Sequence, residues 1–187
     1  KERKPDQAIE SFIHALKLKP AYPEALNDLA EIYLIQGKSA QAEQALKRAI
    51  EIDQKHADSF FDLARLYEQR RDVAAATRTY RSLLAAHPSH RGALYNLALL
   101  YEAQGDNRGA QETVSRLLKL DPKHADGWYL AGRIAEKNND LVEAAHAYRQ
   151  AIVVKPALVD AHYNLAFIYR SQGKPVEAER EYLEVLR

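Results

Sequence analysis

The sequence predicts an all-α fold made of repeated helix pairs, and three observations lead there. A small residue recurs at Ala8, Ala42, Ala76, Ala110, Ala144 and Ala178, at one constant interval and without an insertion. Alanine and leucine, both strong helix formers, are the two commonest residue types in the chain. Glycine and proline make up about 7% of the chain against a background of roughly 12%, too few for the turns of a β-sandwich or barrel. A fixed period of this length, about 34 residues, marks an array of supersecondary units.

Further columns hold the same register: Leu29, Leu63, Leu97, Ala131 and Leu165; Ala30, Ala64, Ala98, Gly132 and Ala166; Tyr33, Tyr67, Tyr101, Ala135 and Tyr169. Within one period, Leu26, Leu29, Ala30 and Tyr33 stand at i, i+3, i+4 and i+7, one face of a first helix. Ala42, Leu46, Ala49 and Ile50 repeat that spacing and define a second helix. Between them Gly37, Gly105 and Gly173 share a slot where a left-handed residue ends a helix. Asn139 also suits that conformation, whereas Arg71 does not, so a different turn or some strain is expected there. Pro5 and Pro175 fall in the first turn of a second helix, and Pro20, Pro88, Pro122 and Pro156 mark its end. The period therefore reads as helix, tight turn, helix, connector.

Small residues between helices allow close backbone approach. The fourth repeat looks compensated: Ala131 and Ala135 replace Leu and Tyr while Trp128, the only tryptophan, enters one turn earlier. Leu83, Leu117 and Val185 replace a small residue seen at Ala15, Ala49 and Ala151, and are expected to push their helices outward.

The stretch Trp128-Tyr129 through Ala131-Gly132, followed by Ala144, Tyr148, Ala151 and Pro156, resembles the tetratricopeptide repeat (TPR) signature, and the resemblance covers essentially the whole chain. It implies a right-handed superhelical solenoid of about 5.5 repeats and eleven helices. The boundaries are a half-repeat at 1–22, full repeats at 23–56, 57–90, 91–124 and 125–158, and a nearly complete last repeat at 159–187. The array as a whole reads as a single domain over 1–187 and as a fragment of a longer protein. It further implies a non-enzymatic scaffold that holds an extended or helical peptide segment of a partner in a concave groove lined by the first helices. Physics agrees, because a lone helix pair cannot bury its apolar face and each repeat touches only its neighbours.

Family analogy puts groove side chains at repeat positions 2, 5, 6, 9, 12 and 13. Position 5 reads Asn27, Phe61, Tyr95, Tyr129 and Tyr163, an aromatic ladder that either contacts a partner or packs against the next repeat. Position 6 includes Asn96 and Asn164, which in the repeats of O-linked glycosyltransferases would grip a partner's backbone. Only two of five positions keep that Asn, so a substrate-recruiting region of such an enzyme is the alternative rather than the leading reading. Position 9 supplies Arg65 and Arg133, poised either for a partner carboxylate or for Glu68 and Glu136 at i+3. The carboxylate clamp of chaperone-binding members is absent. Ten acids against four cations on these positions lean toward a basic or aromatic-rich partner, although four of the acids sit at helix N-termini, where the dipole favours them anyway.

Composition closes off other chemistry. A net charge of +1 argues against nucleic acid, and the absence of Cys removes disulfides, thiolate zinc and a cysteine nucleophile. A mean hydropathy of −0.49, with no long apolar run, argues against membrane insertion. His56, His90 and His124 lie one repeat apart, too distant to share a metal ion, and read as a tolerant connector position. Glu143 and His146 form one isolated pair. No cofactor and no enzymatic activity are expected, and both cytoplasm and periplasm fit. Open apolar ends, including Tyr182, Val185 and Leu186, suggest end-to-end self-association, so a self-assembling array is a second alternative.

Overall fold

The computed structural model describes Ile9, Phe12, His14, Leu16 and residues 18–186. Ile9, Phe12, His14, Leu16 and Leu18 are helical, in keeping with a second helix in the first half-repeat. Pro5, Ala8 and Ala15, which also carried that reading, lie outside the described residues. Ten further helices follow: α1 (Pro23–Ile35), α2 (Ser39–Ile52), α3 (Ala57–Gln69), α4 (Val73–Ala86), α5 (Arg91–Gln104), α6 (Asn107–Leu120), α7 (Ala125–Lys137), α8 (Leu141–Val154), α9 (Val159–Ser171) and α10 (Pro175–Val185). No strand occurs among the described residues. The chain forms two compact units, residues 1–93 and 94–187, with the boundary inside α5.

One turn chemistry joins every pair. Gly37, Gly105 and Gly173 have φ of 72°, 77° and 69°, and Arg71 and Asn139 both have 59°. The N–H that follows bonds back to the carbonyl at the start of the motif, as in Lys38 to Tyr33 at 2.8 Å and Asp72 to Tyr67 at 2.9 Å. Arg71 thus keeps the common turn and accepts the strain; a different turn does not occur.

Caps follow columns as well. Asp72, Asp106 and Asp140 accept the backbone N–H of Ala75, Gly109 and Glu143 at 2.9–3.0 Å. On the first helices, His56, His90 and His124 accept through Nδ1 from Ser59, Ala93 and Gly127 at 2.9–3.3 Å. This corrects the reading of those histidines as a merely tolerant position. Each holds a helix start that would otherwise leave an orphan donor.

In the unit over 1–93, α1 packs on α2 and α3 on α4, with α2 also against α3. In the unit over 94–187, α7 pairs with α8 and α9 with α10, while α6 lies against α7 and α8 against α9. The small columns are where helices meet: Ala42, Ala64, Ala76, Ala98, Ala110, Ala144 and Ala166 are wholly buried. Gly132 packs so tightly on the Tyr148 ring that a methyl group would overlap it. Leu83 and Leu117 are fully buried too. Leu117 is accommodated by Gly127 on the next first helix, where an added Cβ would stand 3.1 Å from it. The Trp128 slot is structural in a second way, since its Nε1–H donates to the Pro122 carbonyl at 2.8 Å. His162, one period later, donates from Nε2 to Pro156 at 2.9 Å, and its Nδ1 meets Glu181 of α10 at 2.6 Å.

Between α2 and α3, Glu43 receives Lys47 at 2.7 Å, the Tyr67 hydroxyl at 3.0 Å and Arg70. The hydrogen bond from Lys47, aided by Arg70 and Tyr67, holds its carboxyl at about 2 against an ordinary 4.5. A depressed carboxyl stabilises the fold above its unfolded pKa, and that contribution is lost as protons return.

Two outcomes are expected. Arg71→Gly relieves the left-handed strain and raises unfolding stability by about 1 kcal/mol in chemical denaturation. On acidification from about pH 4.5 to about pH 2, stability falls by a component that Glu43→Gln removes, measurable by denaturation at a series of pH values.

Candidate functional site

In the first unit, Asn27, Phe61 and Arg65 stand on the first helices α1 and α3. The Asn27 amide donates to Asp62 at 3.1 Å and its oxygen accepts from the Ser59 hydroxyl at 2.9 Å, stitching α1 to α3. Phe61 lies between Tyr80, at a centroid distance of 5.9 Å, and the capping His90, at 5.0 Å. The Arg65 guanidinium stands 6.0 Å from the Phe61 ring and lines a cleft of about 290 Å³ with Glu31, Leu34 and Asp62.

The second unit repeats the theme. Tyr95 meets the capping His124 at 5.2 Å, Tyr129 meets Tyr148 at 5.7 Å, and Tyr163 meets Tyr182 at 5.9 Å. The ladder rings therefore pack against the second helix of their own repeat or the cap of the next one. Phe61, Tyr95 and Tyr129 are half-buried by this, whereas Tyr163 stays 53% exposed. Burial raises the phenol pKa of Tyr95 and Tyr129, so both hydroxyls remain protonated donors. Asn164 donates to the hydroxyls of Tyr148 at 3.2 Å and Tyr129 at 3.5 Å. Asn96, its counterpart, lies half-buried on α5.

Neither expected i,i+3 pair forms. Glu68 instead accepts the Tyr80 hydroxyl at 2.6 Å, and Glu136 accepts that of Tyr148. Burial, followed by the adjacent Glu136, pushes the Tyr148 pKa up, keeping it a donor. In the intervening repeat Val114 takes the tyrosine's place, and the acid there, Glu102, is 4% exposed. It is held from α7, the first helix of the next repeat, by Arg133 at 2.8 and 2.9 Å and by Lys137. No single repeat carries the signature of this pairing. The signal lay in two columns taken together, with Glu68, Glu102 and Glu136 opposite Tyr80, Val114 and Tyr148.

Arg133 also stands 5.9 Å from the Tyr129 ring. With Tyr129, Glu136, Lys137 and Asn164 it lines an open basin of about 370 Å³ on the first-helix face. Beside it on α9, Phe167 is 46% exposed and carries the Arg170 guanidinium 5.1 Å above its ring. Among the described residues no three His, Asp or Glu side chains are grouped to hold a metal ion, and no helix is long and apolar enough to cross a membrane. The double variant Arg133→Ala/Lys137→Ala strands the Glu102 carboxylate and costs about 2 kcal/mol of unfolding stability, which Glu102→Gln in the same background recovers in large part.

Comparison with known proteins agrees with the fold of repeated helix pairs. Tetratricopeptide repeat models match residues 1–66 in one case and residues 61–110, 95–157 and 143–187 in another. No curated protein matches the chain in sequence. Among solved structures, MamA 41-end from Desulfovibrio magneticus RS-1 superposes with a TM-score of 0.78 at 16% identity, covering 88% of this chain and 93% of that one. YrrB, described as a TPR protein with an unusual peptide-binding site, gives 0.81 at 16% identity over 95% and 92%. A tetratricopeptide repeat protein from Parabacteroides merdae ATCC 43184 gives 0.76 at 23% identity over 97% and 72%. The helix pairs, their common turn and the family matches together make this chain a member of the tetratricopeptide repeat family.

Proposed function

We propose that the protein is a non-enzymatic interaction scaffold whose first-helix face holds an extended or helical segment of a partner protein. The observation that carries this reading is the basin of Tyr129, Arg133, Lys137 and Asn164, with Tyr163 and Phe167 exposed on α9. Exposed aromatic rings beside satisfied polar groups offer contact area at low entropic cost, and hydroxyl and amide edges hydrogen-bond a peptide main chain. The peptide-binding site ascribed to YrrB, a protein of the same fold, supports the same use of the scaffold.

Partner chemistry follows from what is already consumed. Glu68, Glu102 and Glu136 are bound by Tyr80, by Arg133 with Lys137, and by Tyr148, and Asp62 is bound by Asn27. Four of the acids that tilted the face toward basic partners are thereby committed inside the protein. Aromatic or aliphatic side chains are the better complement to Tyr163 and Phe167. Asn164 is engaged with two tyrosine hydroxyls, which weakens the glycosyltransferase-like reading of that column.

The test is selection of peptides from a displayed random library, followed by affinity measurement on variants. Tyr163→Ala/Phe167→Ala is expected to weaken the selected peptides at least tenfold while the far-UV circular dichroism stays unchanged. Peptides that bind this double variant as well as the parent would move the site off the first-helix face.

A further inference from the structure

On a different face of α7, turned toward the second helices α6 and α8, the fourth repeat has a cleft that its compensation does not close. Trp128 does enter one turn before the missing side chains, as its position in the sequence suggests. A cleft of about 270 Å³ nevertheless remains, lined by Val114 and Leu118 of α6, by Trp128, Ala131 and Ala135 of α7, and by Glu143 of α8. Its floor is apolar, since Val114, Ile134 and Ala135 are buried. Gln111 and Ser115 of α6 supply neutral polar groups on its wall, and Lys119 of α6 joins Glu143 as a charged group of its lining.

What belongs in such a cleft is shown two repeats earlier. The counterpart of Ala135 is Tyr67, whose ring packs against the cluster formed by Ala42, Ala45 and Leu46. Its hydroxyl donates to Glu43 on the preceding second helix at 3.0 Å. The counterpart of Glu43, two repeats on, is Gln111, and the counterpart of Lys47 is Ser115. The fourth repeat has thus lost the phenol while keeping hydrogen-bonding side chains where the phenol's oxygen would end. The charged pair that holds Tyr67 is replaced by a neutral amide and a hydroxyl, which suit a neutral phenol arriving from outside.

We propose that this cleft receives the phenol ring of a tyrosine presented by a partner chain, with the ring against Trp128 and Ala135 and the hydroxyl bonded to Gln111. A binding point here is independent of the first-helix face, so it adds a second anchor to whatever that face holds. Tyrosine is suited to the role, since it brings a large rigid surface and one hydrogen bond.

Trp128, the only tryptophan, gives a single indole N–H resonance for the test. Titration of the intact protein with p-cresol, the tyrosine side chain alone, should shift that resonance saturably in the millimolar range. Toluene, which lacks the hydroxyl, should bind several-fold more weakly, and Gln111→Leu should erase the difference. N-acetyl-L-tyrosinamide should bind as p-cresol does, because the mouth must admit main chain. Ala135→Tyr, which restores the side chain of the other repeats, should abolish the shift and raise the melting temperature. Ala131→Leu, filling from the neighbouring position, is the second such variant. A shift that survives both filling variants, or no saturable shift at all, overturns the site. Binding of p-cresol without N-acetyl-L-tyrosinamide overturns the partner tyrosine in favour of a free phenolic ligand.

Discussion

Close approach of helix backbones at one small residue per helix is the constraint on which this protein depends. Ala30 and Ala42 share one buried cluster, and Ala98 and Ala110 share another, so the helices of a pair meet where the side chains are no larger than methyl. In the fourth repeat Gly132 goes further and meets a tyrosine ring directly. Interiors are packed at crystal density, so a position of this kind tolerates neither addition nor loss without movement. Everything else in a repeat is arranged around that contact. The larger columns, Leu63 and Tyr67 or Leu97 and Tyr101, fill the space on either side. Where one column changes, a neighbour answers, as Gly127 answers Leu117 and Gly132 answers the Tyr148 ring.

The polar side chains show the same economy. A carboxylate at the end of a first helix is partly or wholly desolvated, and a desolvated acid needs donors. Two repeats supply a tyrosine hydroxyl from the following second helix; the third lacks it and borrows Arg133 and Lys137 from the next repeat. The borrowing fixes those two cations on the face where a partner would be held, and it orients Arg133 beside Tyr129. Stability and the character of the first-helix face are therefore set by the same hydrogen bonds. Charge counted along the face overstates its acidity, because an acid that already holds its donor offers little to a ligand.

The helix pairs, the turn at each glycine slot and the family were legible in the sequence, because each rests on spacing within about one period. The left-handed conformation of Arg71 was half legible, as an exception whose resolution depended on whether the common turn or the residue preference prevailed. Five repeats share one turn and its hydrogen bonds, and the turn prevailed. The histidine caps were visible as a column but not as caps, since their role is a bond from a backbone N–H further along the chain to a ring nitrogen. The ladder residues Phe61, Tyr95, Tyr129 and Tyr163 were legible as a column, while their degree of exposure was not. It depends on Tyr80, Tyr148 and Tyr182 of the second helices that follow, and on the caps of the next repeat.

What the sequence determined by itself is periodic and local: which residues are helical, where each helix stops, and which side chain occupies which column. Tertiary structure alone decided the pairings between columns. It decided that Arg133 is claimed by Glu102 rather than by Glu136, that Asn27 bridges two helices, and that Trp128 leaves a cleft unfilled. The physical reason is that column identity follows from a repeat of fixed length. Hydrogen-bond partners and packing gaps depend instead on the distance between helices, which is set by the volumes of many side chains at once.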